Sequence, residues 1–172
     1  MKKKILIIAL LSVAVIAVAV AVYLVAFKED DVLVPDYAPP VVEGNVEKIE
    51  GDSGEKLEAS EGGGAIGLEY SKNVTIDLSD DKAYMIFANP AKSYNSMLVQ
   101  VVVKGEVVAQ SGTLEPGYRV SSEGLKLVSG AASKLVPGGY NDAKFVVNYY
   151  DPENNEKAVL STEIPITLIV QE

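Results

Sequence analysis

Two groups of closely spaced carboxylates are the residues of this sequence whose types suit acid–base or metal chemistry. Asp77, Asp80 and Asp81 lie in one short stretch, and paired carboxylates can act as acid and base on a glycosidic bond. Residues 151–156 combine carboxylates with amide oxygens, the ligands that Ca²⁺ prefers. The first group follows an alternating apolar run, and the second lacks the glycine and glutamate spacing of an EF-hand loop. We therefore interpret both groups as solvated turns.

The sequence contains no His and no Cys. Their absence excludes Ser-His-Asp and Cys-His catalysis, thiolate metal sites, disulfides and a lipid-modified cysteine. On these grounds we predict that the protein is not an enzyme and that it binds no cofactor and no metal.

Tyrosine is the dominant aromatic residue, with nine Tyr against three Phe and no Trp. Tyr is favoured at contact surfaces because it buries a large area while keeping a polar tip. Tyr149 and Tyr150 are adjacent, so in a strand they must point to opposite faces, and we expect one in the core and the other exposed. Tyr140, Tyr149 and Tyr150 form the candidate interaction surface. The alternative is a structural role, including a tyrosine-corner role for Tyr140.

The N-terminal residues predict a membrane anchor. Residues 5–27 are apolar apart from Ser12, and a helix of that length spans about 30 Å of hydrocarbon. Lysines occupy positions 2–4 and acids occupy positions 29–31, so the positive-inside rule leaves the rest of the chain outside the cytoplasm. We therefore expect residues 1–27 to be a cytoplasmic tip and a single transmembrane anchor, with residues 5–27 in contact with membrane lipid.

A cleaved signal peptide is the alternative reading of the same residues. Ala17-Val18-Ala19 offers the spacing of small residues that a signal peptidase requires, and cleavage would produce a secreted protein. The apolar run continues well past that site and exceeds the usual length of a signal peptide, which favours the uncleaved anchor.

Charge is unevenly distributed along the chain. The formal net charge is −9, and the three lysines at positions 2–4 lie before all 24 acidic residues. From position 28 onward the chain therefore carries 24 acids against 12 basic residues (15 minus 3). A domain with this excess of acidic residues lacks the basic surface that binds phosphates, which argues against nucleic acid as a partner.

Residues 28–62 have the composition of a stalk. They hold many acids, Pro35, Pro39, Pro40 and several glycines, but few large apolar side chains. Such a segment buries too little surface to offset its chain entropy, so we expect an extended, solvated spacer that ends at a glycine joint. A short helix over 46–57 is the alternative.

Residues 63–172 predict one extracytoplasmic β-sandwich domain. Nine short β-prone runs are separated by turn residues such as Lys104-Gly105 and Pro116-Gly117, and no stretch shows a helical period. The predicted fold class is therefore all-β, an antiparallel immunoglobulin-like β-sandwich preceded by an N-terminal transmembrane helix. The alternating apolar positions predict a core of Val74, Ile76, Leu78, Met85, Phe87, Leu98, Val101, Val103, Phe145, Val147, Ile166 and Leu168.

Several segments of this domain carry a family resemblance. They are FANP from residue 87, SGTLEPG from residue 111, GY at 139–140, FVVNYY from residue 145 and ITLIV from residue 166. In this order they resemble small, single-pass, exported immunoglobulin-like β-sandwich proteins of Gram-positive bacteria, a group without a general assigned function. The resemblance implies the fold and the compartment, and it brings no catalytic residues with it.

These observations predict a non-enzymatic, membrane-tethered surface protein. We expect its domain to be a protein-interaction module of the cell envelope, with a protein partner there. One alternative is a structural subunit of a pilus-like surface assembly, because an exposed edge strand can pair with another chain. The other is a carbohydrate-binding sandwich, which the absence of Trp disfavours.

Overall fold

A computed structural model of the protein describes residues 34–39, 45–58 and 65–172. These residues belong to one compact unit, Leu33–Glu172, and their regular structure is all-β apart from a single 3-10 turn, Ala132–Lys134. The strands are β1 (Val46–Lys48), β2 (Glu69–Tyr70), β3 (Asn73–Asp77), β4 (Lys82–Tyr84), β5 (Phe87–Asn89), β6 (Ser96–Val103), β7 (Glu106–Gln110), β8 (Tyr118–Val120), β9 (Leu125–Lys126), β10 (Gly138–Tyr150) and β11 (Lys157–Gln171).

The larger sheet has seven strands in the order β7-β6-β10-β11-β3-β4-β9. Its neighbours are antiparallel except β11 and β3, which run parallel over Thr167↔Asn73 to Gln171↔Asp77. The prediction of a wholly antiparallel sandwich is therefore wrong at this pair. β3 and β11 lie far apart in sequence, so no tight turn between them imposes the antiparallel direction.

The smaller sheet has four strands in the order β1-β8-β5-β2. β2 and β3 are consecutive along the chain, but β2 pairs with β5 in the smaller sheet and β3 pairs with β4 in the larger one. The segment from β2 to β5 therefore contributes strands to both sheets. β8 and β9 lie alongside β5 and β4 in the same way. A bridge between Ala109 and Leu127 also joins the two ends of the larger sheet, which gives the sandwich a nearly closed, barrel-like shape.

The core lies between the sheets and is built from alternate residues of the strands. Phe87 of the smaller sheet and Phe145 of the larger one meet edge to face, with 5.4 Å between ring centroids. The predicted core residues are buried, with Leu78 partly buried. Leu98 is buried outside the core cluster, because β6 alternates Met97, Val99, Val101 and Val103 toward the core.

The described parts of residues 28–62 pack against the sandwich, whereas we expected a solvated spacer there, with a short helix over 46–57 as the alternative. Val46–Lys48 pairs with β8, and Glu47 meets Arg119 at 2.7 Å. Asp52 accepts a hydrogen bond of 2.6 Å from the Ala91 N–H. The carboxylates that suggested solvation are thus partners for groups of the domain, an arrangement that composition does not reveal.

Residues 34–39, which we call the strap, cross the end of the β10–β11 hairpin. Tyr37 forms an antiparallel bridge with Glu156, and Lys157 N–H donates to the Asp36 carbonyl over 2.7 Å. Among the described residues no helix is long and apolar enough to span a bilayer. The predicted anchor, residues 5–27, lies outside them.

Candidate functional site

Tyr149 and Tyr150 are both buried, so the expectation that one of them is exposed is wrong. Tyr149 lies in the core, and its hydroxyl donates to Thr162 Oγ1 over 2.7 Å. Tyr150 points to the opposite face, where its hydroxyl donates to the Pro35 carbonyl of the strap over 3.1 Å. Burial raises the pKa of both phenols. Strand alternation was predicted correctly, but the strap occupies the face that was expected to be open.

Tyr140 is also buried, near the start of β10. Its hydroxyl donates to the Val136 carbonyl over 3.1 Å and accepts from the Val136 N–H over 3.0 Å. The Lys104 ammonium lies 5.2 Å from the centre of its ring. These contacts hold the loop before β10 against the sheet. The three tyrosines therefore do not form one exposed surface.

A small cleft of about 310 Å³ lies beside Tyr140. Its walls combine apolar residues of β6 and β7 and Leu135, which follows the 3-10 turn, with charged side chains. Two of those charges, Lys134 and Glu106, form an ion pair of 2.8 Å. The cleft is thus lined by groups that already contact one another, and its volume suits at most a very small ligand.

The carboxylates of Asp77 and Asp80 are engaged in local turns. Asp77 Oδ1 accepts from the Ser79 hydroxyl over 2.6 Å and from the Ser79 N–H over 2.9 Å, and these bonds help to lower its pKa. Asp80 accepts from the Tyr84 hydroxyl over 2.9 Å, which raises the pKa of that phenol. In the part of the chain that the structure describes, no group of three or more Asp or Glu is placed to hold a metal ion.

The loop over 151–156 is likewise held by its own side chains. Asp151 Oδ1 accepts from the Glu153 N–H over 2.7 Å, and Asn154 Oδ1 accepts from the Glu156 N–H over 2.8 Å. Asn155 has a positive φ of 60°. These are the features of a hairpin tip, in which short polar side chains replace a longer backbone turn.

The most distinctive surface lies on β11 and was not among the predicted sites. β10 pairs with β11 along its length, but β3 pairs with β11 only from Thr167 onward. Residues 158–163 of β11, which we call the open edge, therefore have a strand on one side only among the described residues. Pro165, which has no N–H to donate to a ladder, lies just beyond this stretch and before the residues that pair with β3.

Two apolar side chains are exposed on this open edge. Val159 is fully exposed, and Leu160 is 77% exposed. The register of β10 and β11 is irregular here, since residues 158–160 lie opposite the single residue Tyr149. Such a bulge bends the strand and re-aims its side chains, which explains why two consecutive apolar residues both point away from the core.

The sequence carries a signal for this surface. In β11 the residues that point into the core are every second one: Ile164, Ile166, Leu168 and Val170. Val159 lies at one of the alternate positions, which point away from the core. A strand with apolar residues on both of its faces must either be buried on both faces or expose some of these residues to solvent. No known family model, curated protein or solved structure matches this chain.

Proposed function

We propose that this chain is a membrane-tethered protein whose immunoglobulin-like sandwich lies outside the cytoplasm and acts as a non-enzymatic interaction module of the cell envelope. The exposed pair Val159 and Leu160 on the open edge is the observation that carries the proposal. An unpaired strand edge offers backbone N–H and C=O groups to another chain. Adjacent apolar side chains strengthen the contact, because burying their surface away from water is favourable.

The tethered location is supported by the order of charges around residues 5–27. Lysines before the apolar run and acids after it favour the orientation with the domain outside. The immunoglobulin-like assignment is supported by Tyr140, which lies near the start of the penultimate strand and bonds to the backbone four residues upstream. That is the position and the hydrogen bond of a tyrosine corner.

The location can be tested with single cysteines, because the natural chain has none. Val136 is 66% exposed, and we expect a Val136→Cys variant to react with a membrane-impermeant maleimide on intact cells. Lys3→Cys is the matched control and should react only after permeabilisation. Labelling of Val136→Cys that requires lysis would contradict the tethered, outward-facing arrangement.

The interaction surface can be tested by photo-crosslinking from the open edge in living cells. A photoreactive residue at position 160 should capture a neighbouring protein, whereas the same residue at position 86 should not. Ile86 is a suitable control because it is 62% exposed and lies between β4 and β5, on another part of the sandwich. Equal capture from the two positions would remove the support for the open edge as the binding surface.

A structural subunit of a surface assembly is the second candidate, and the same edge favours it. Edge strands join subunits when the backbone of one chain extends the sheet of the next. The two candidates differ in the identity of the partner, which is another protein in the first case and the same chain in the second.

A further inference from the structure

We infer that the cleft beside Tyr140 binds a small organic anion in which a carboxylate is attached to a short apolar group. This inference goes beyond the proposed function, because it depends neither on the membrane location nor on the open edge. The cleft volume of about 310 Å³ lies at the lower end of the range for small-molecule sites, about 300–1,000 Å³. The cleft therefore admits a short ligand and excludes a long one.

The apolar walls of the cleft select the body of the ligand. Val103 of β6, Val108 of β7, Leu135 and Tyr140 line the cleft, and each is at most 8% exposed. The Tyr140 hydroxyl donates its proton to the Val136 carbonyl, so it has no second donor for a ligand. These side chains can cover an apolar group, which gains free energy by leaving water, but they offer nothing that binds a charge.

Lys104 supplies the charge beside these walls. Of the three charged residues that line the cleft, Glu106 and Lys134 form an ion pair of 2.8 Å, so their charges offset each other. Lys104 forms no ion pair with any described residue, and its ammonium lies 5.2 Å from the centre of the Tyr140 ring. One uncompensated ammonium next to an apolar wall is complementary to a monoanion with an apolar body. A carboxylate meets that requirement because it is ionised at neutral pH.

The backbone at Lys104 gives independent support for a binding role. Lys104 and Gly105 have positive φ values of 52° and 86°, as a type I′ hairpin turn requires at both of its central residues. Asparagine and glycine adopt this conformation readily, whereas lysine adopts it at an energetic cost. Residues in such conformations cluster at ligand sites. A ligand for the ammonium explains why lysine occupies a position that the turn alone would assign to asparagine.

NMR titration of the full chain in detergent tests the binding, with 3-methylbutanoate as the probe and the methyl signals of Val108 and Leu135 as the readout. 3-Methylbutanamide has the same shape without the charge. We expect it to bind about tenfold more weakly, because interactions with an ion are stronger than those with a neutral group. Equal binding of the acid and the amide would overturn the inference.

The same chemistry occurs in a free short-chain acid and in the C-terminal residue of a protein. An N-acetylated tetrapeptide that ends in leucine, compared with its C-terminal amide, distinguishes the two sources. Binding of the peptide acid but not of 3-methylbutanoate would support a protein terminus as the ligand, and the reverse result would support a free acid. Failure of both acids to shift the two methyl signals would overturn the inference.

The Lys104→Asn variant separates binding from folding. Asparagine before Gly105 is the preferred type I′ pair, so the variant should unfold at a temperature no lower than that of the natural chain. Its affinity for 3-methylbutanoate should nevertheless fall about tenfold, because the ammonium is lost. Lys126→Asn is the matched control, since Lys126 is exposed on β9 and does not line the cleft, and it should bind the probe normally.

Two results would contradict this role of Lys104. If the Lys104→Asn variant binds 3-methylbutanoate with the natural affinity, the ammonium does not bind the ligand. If the variant loses binding and also unfolds at a lower temperature, Lys104 serves to hold Tyr140 in the fold. Neither result affects the proposed interaction module, which is tested at positions 86, 136 and 160.

Discussion

The two halves of β11 differ although they belong to one continuous strand. From Ile164 onward, alternate residues are buried in the core, and from Thr167 the strand has β10 on one side and β3 on the other. Between residues 158 and 163 the strand has β10 as its one neighbour among the described residues, carries a bulge and exposes Val159 and Leu160. Pairing with a strand on each side, rather than apolar composition, therefore decides which part of β11 is buried and which part is exposed.

The largest expected effect on the free energy of unfolding is the difference between truncating one leucine in each half of β11. Leu168 is fully buried, so Leu168→Ala should lower the free energy of unfolding by about 2–5 kcal/mol through lost burial and the cavity left behind. Leu160→Ala removes an exposed side chain and should change it by no more than about 0.5 kcal/mol. Urea unfolding of the full chain in detergent, at a concentration where it is monomeric, measures both values. Equal losses would place Leu160 in the core and erase the distinction.

The buried half of β11 was predictable and the open half was not. The alternation of Ile166 and Leu168 placed them in the core because a period of two gives one face of a strand. The same rule failed before Ile164, where the bulge interrupts the period. A bulge depends on the neighbouring strand, so a single sequence offers little sign of it.

The strap and β1 were missed for a related reason. Both come from an acidic, proline-containing stretch whose composition is typical of a solvated spacer. The strap buries Tyr150, and β1 meets Arg119 through Glu47. These contacts join residues distant in sequence. Local composition therefore predicted the strands of the sandwich well and gave no sign that both Tyr149 and Tyr150 would be buried.

A smaller effect concerns the hydrogen bond that joins the open half to the core. Thr162→Val removes the acceptor of the Tyr149 hydroxyl, and a buried hydroxyl without a partner costs about 1–3 kcal/mol. The double variant Tyr149→Phe/Thr162→Val is the control, since it removes both partners and should recover part of the loss. The same unfolding measurement applies. A double variant that loses the sum of both single effects would show that the two side chains act independently.

The ionisation of Tyr149 gives a test confined to alkaline pH. Burial raises the pKa of Tyr149, and the hydrogen bond with Thr162 partly opposes that rise. The folded state thus favours the protonated phenol. Its contribution to stability is fully present below the ordinary pKa of about 10 and is lost as the pH rises through the folded-state value. We expect Tyr149→Phe to flatten the alkaline fall of the unfolding free energy, with Tyr37→Phe as an exposed control. An unchanged alkaline profile would contradict the burial of this phenol.

The smallest effect is expected for Glu163, on the exposed side of the open half. Its ion pair with Lys144 is solvent-exposed, so Glu163→Gln should cost about 0.2–1 kcal/mol of folding stability, and less at high salt. The double variant Lys144→Gln/Glu163→Gln isolates the pair. Urea unfolding at low and high salt measures the cost, and a loss that does not shrink at high salt would contradict a solvent-exposed ion pair.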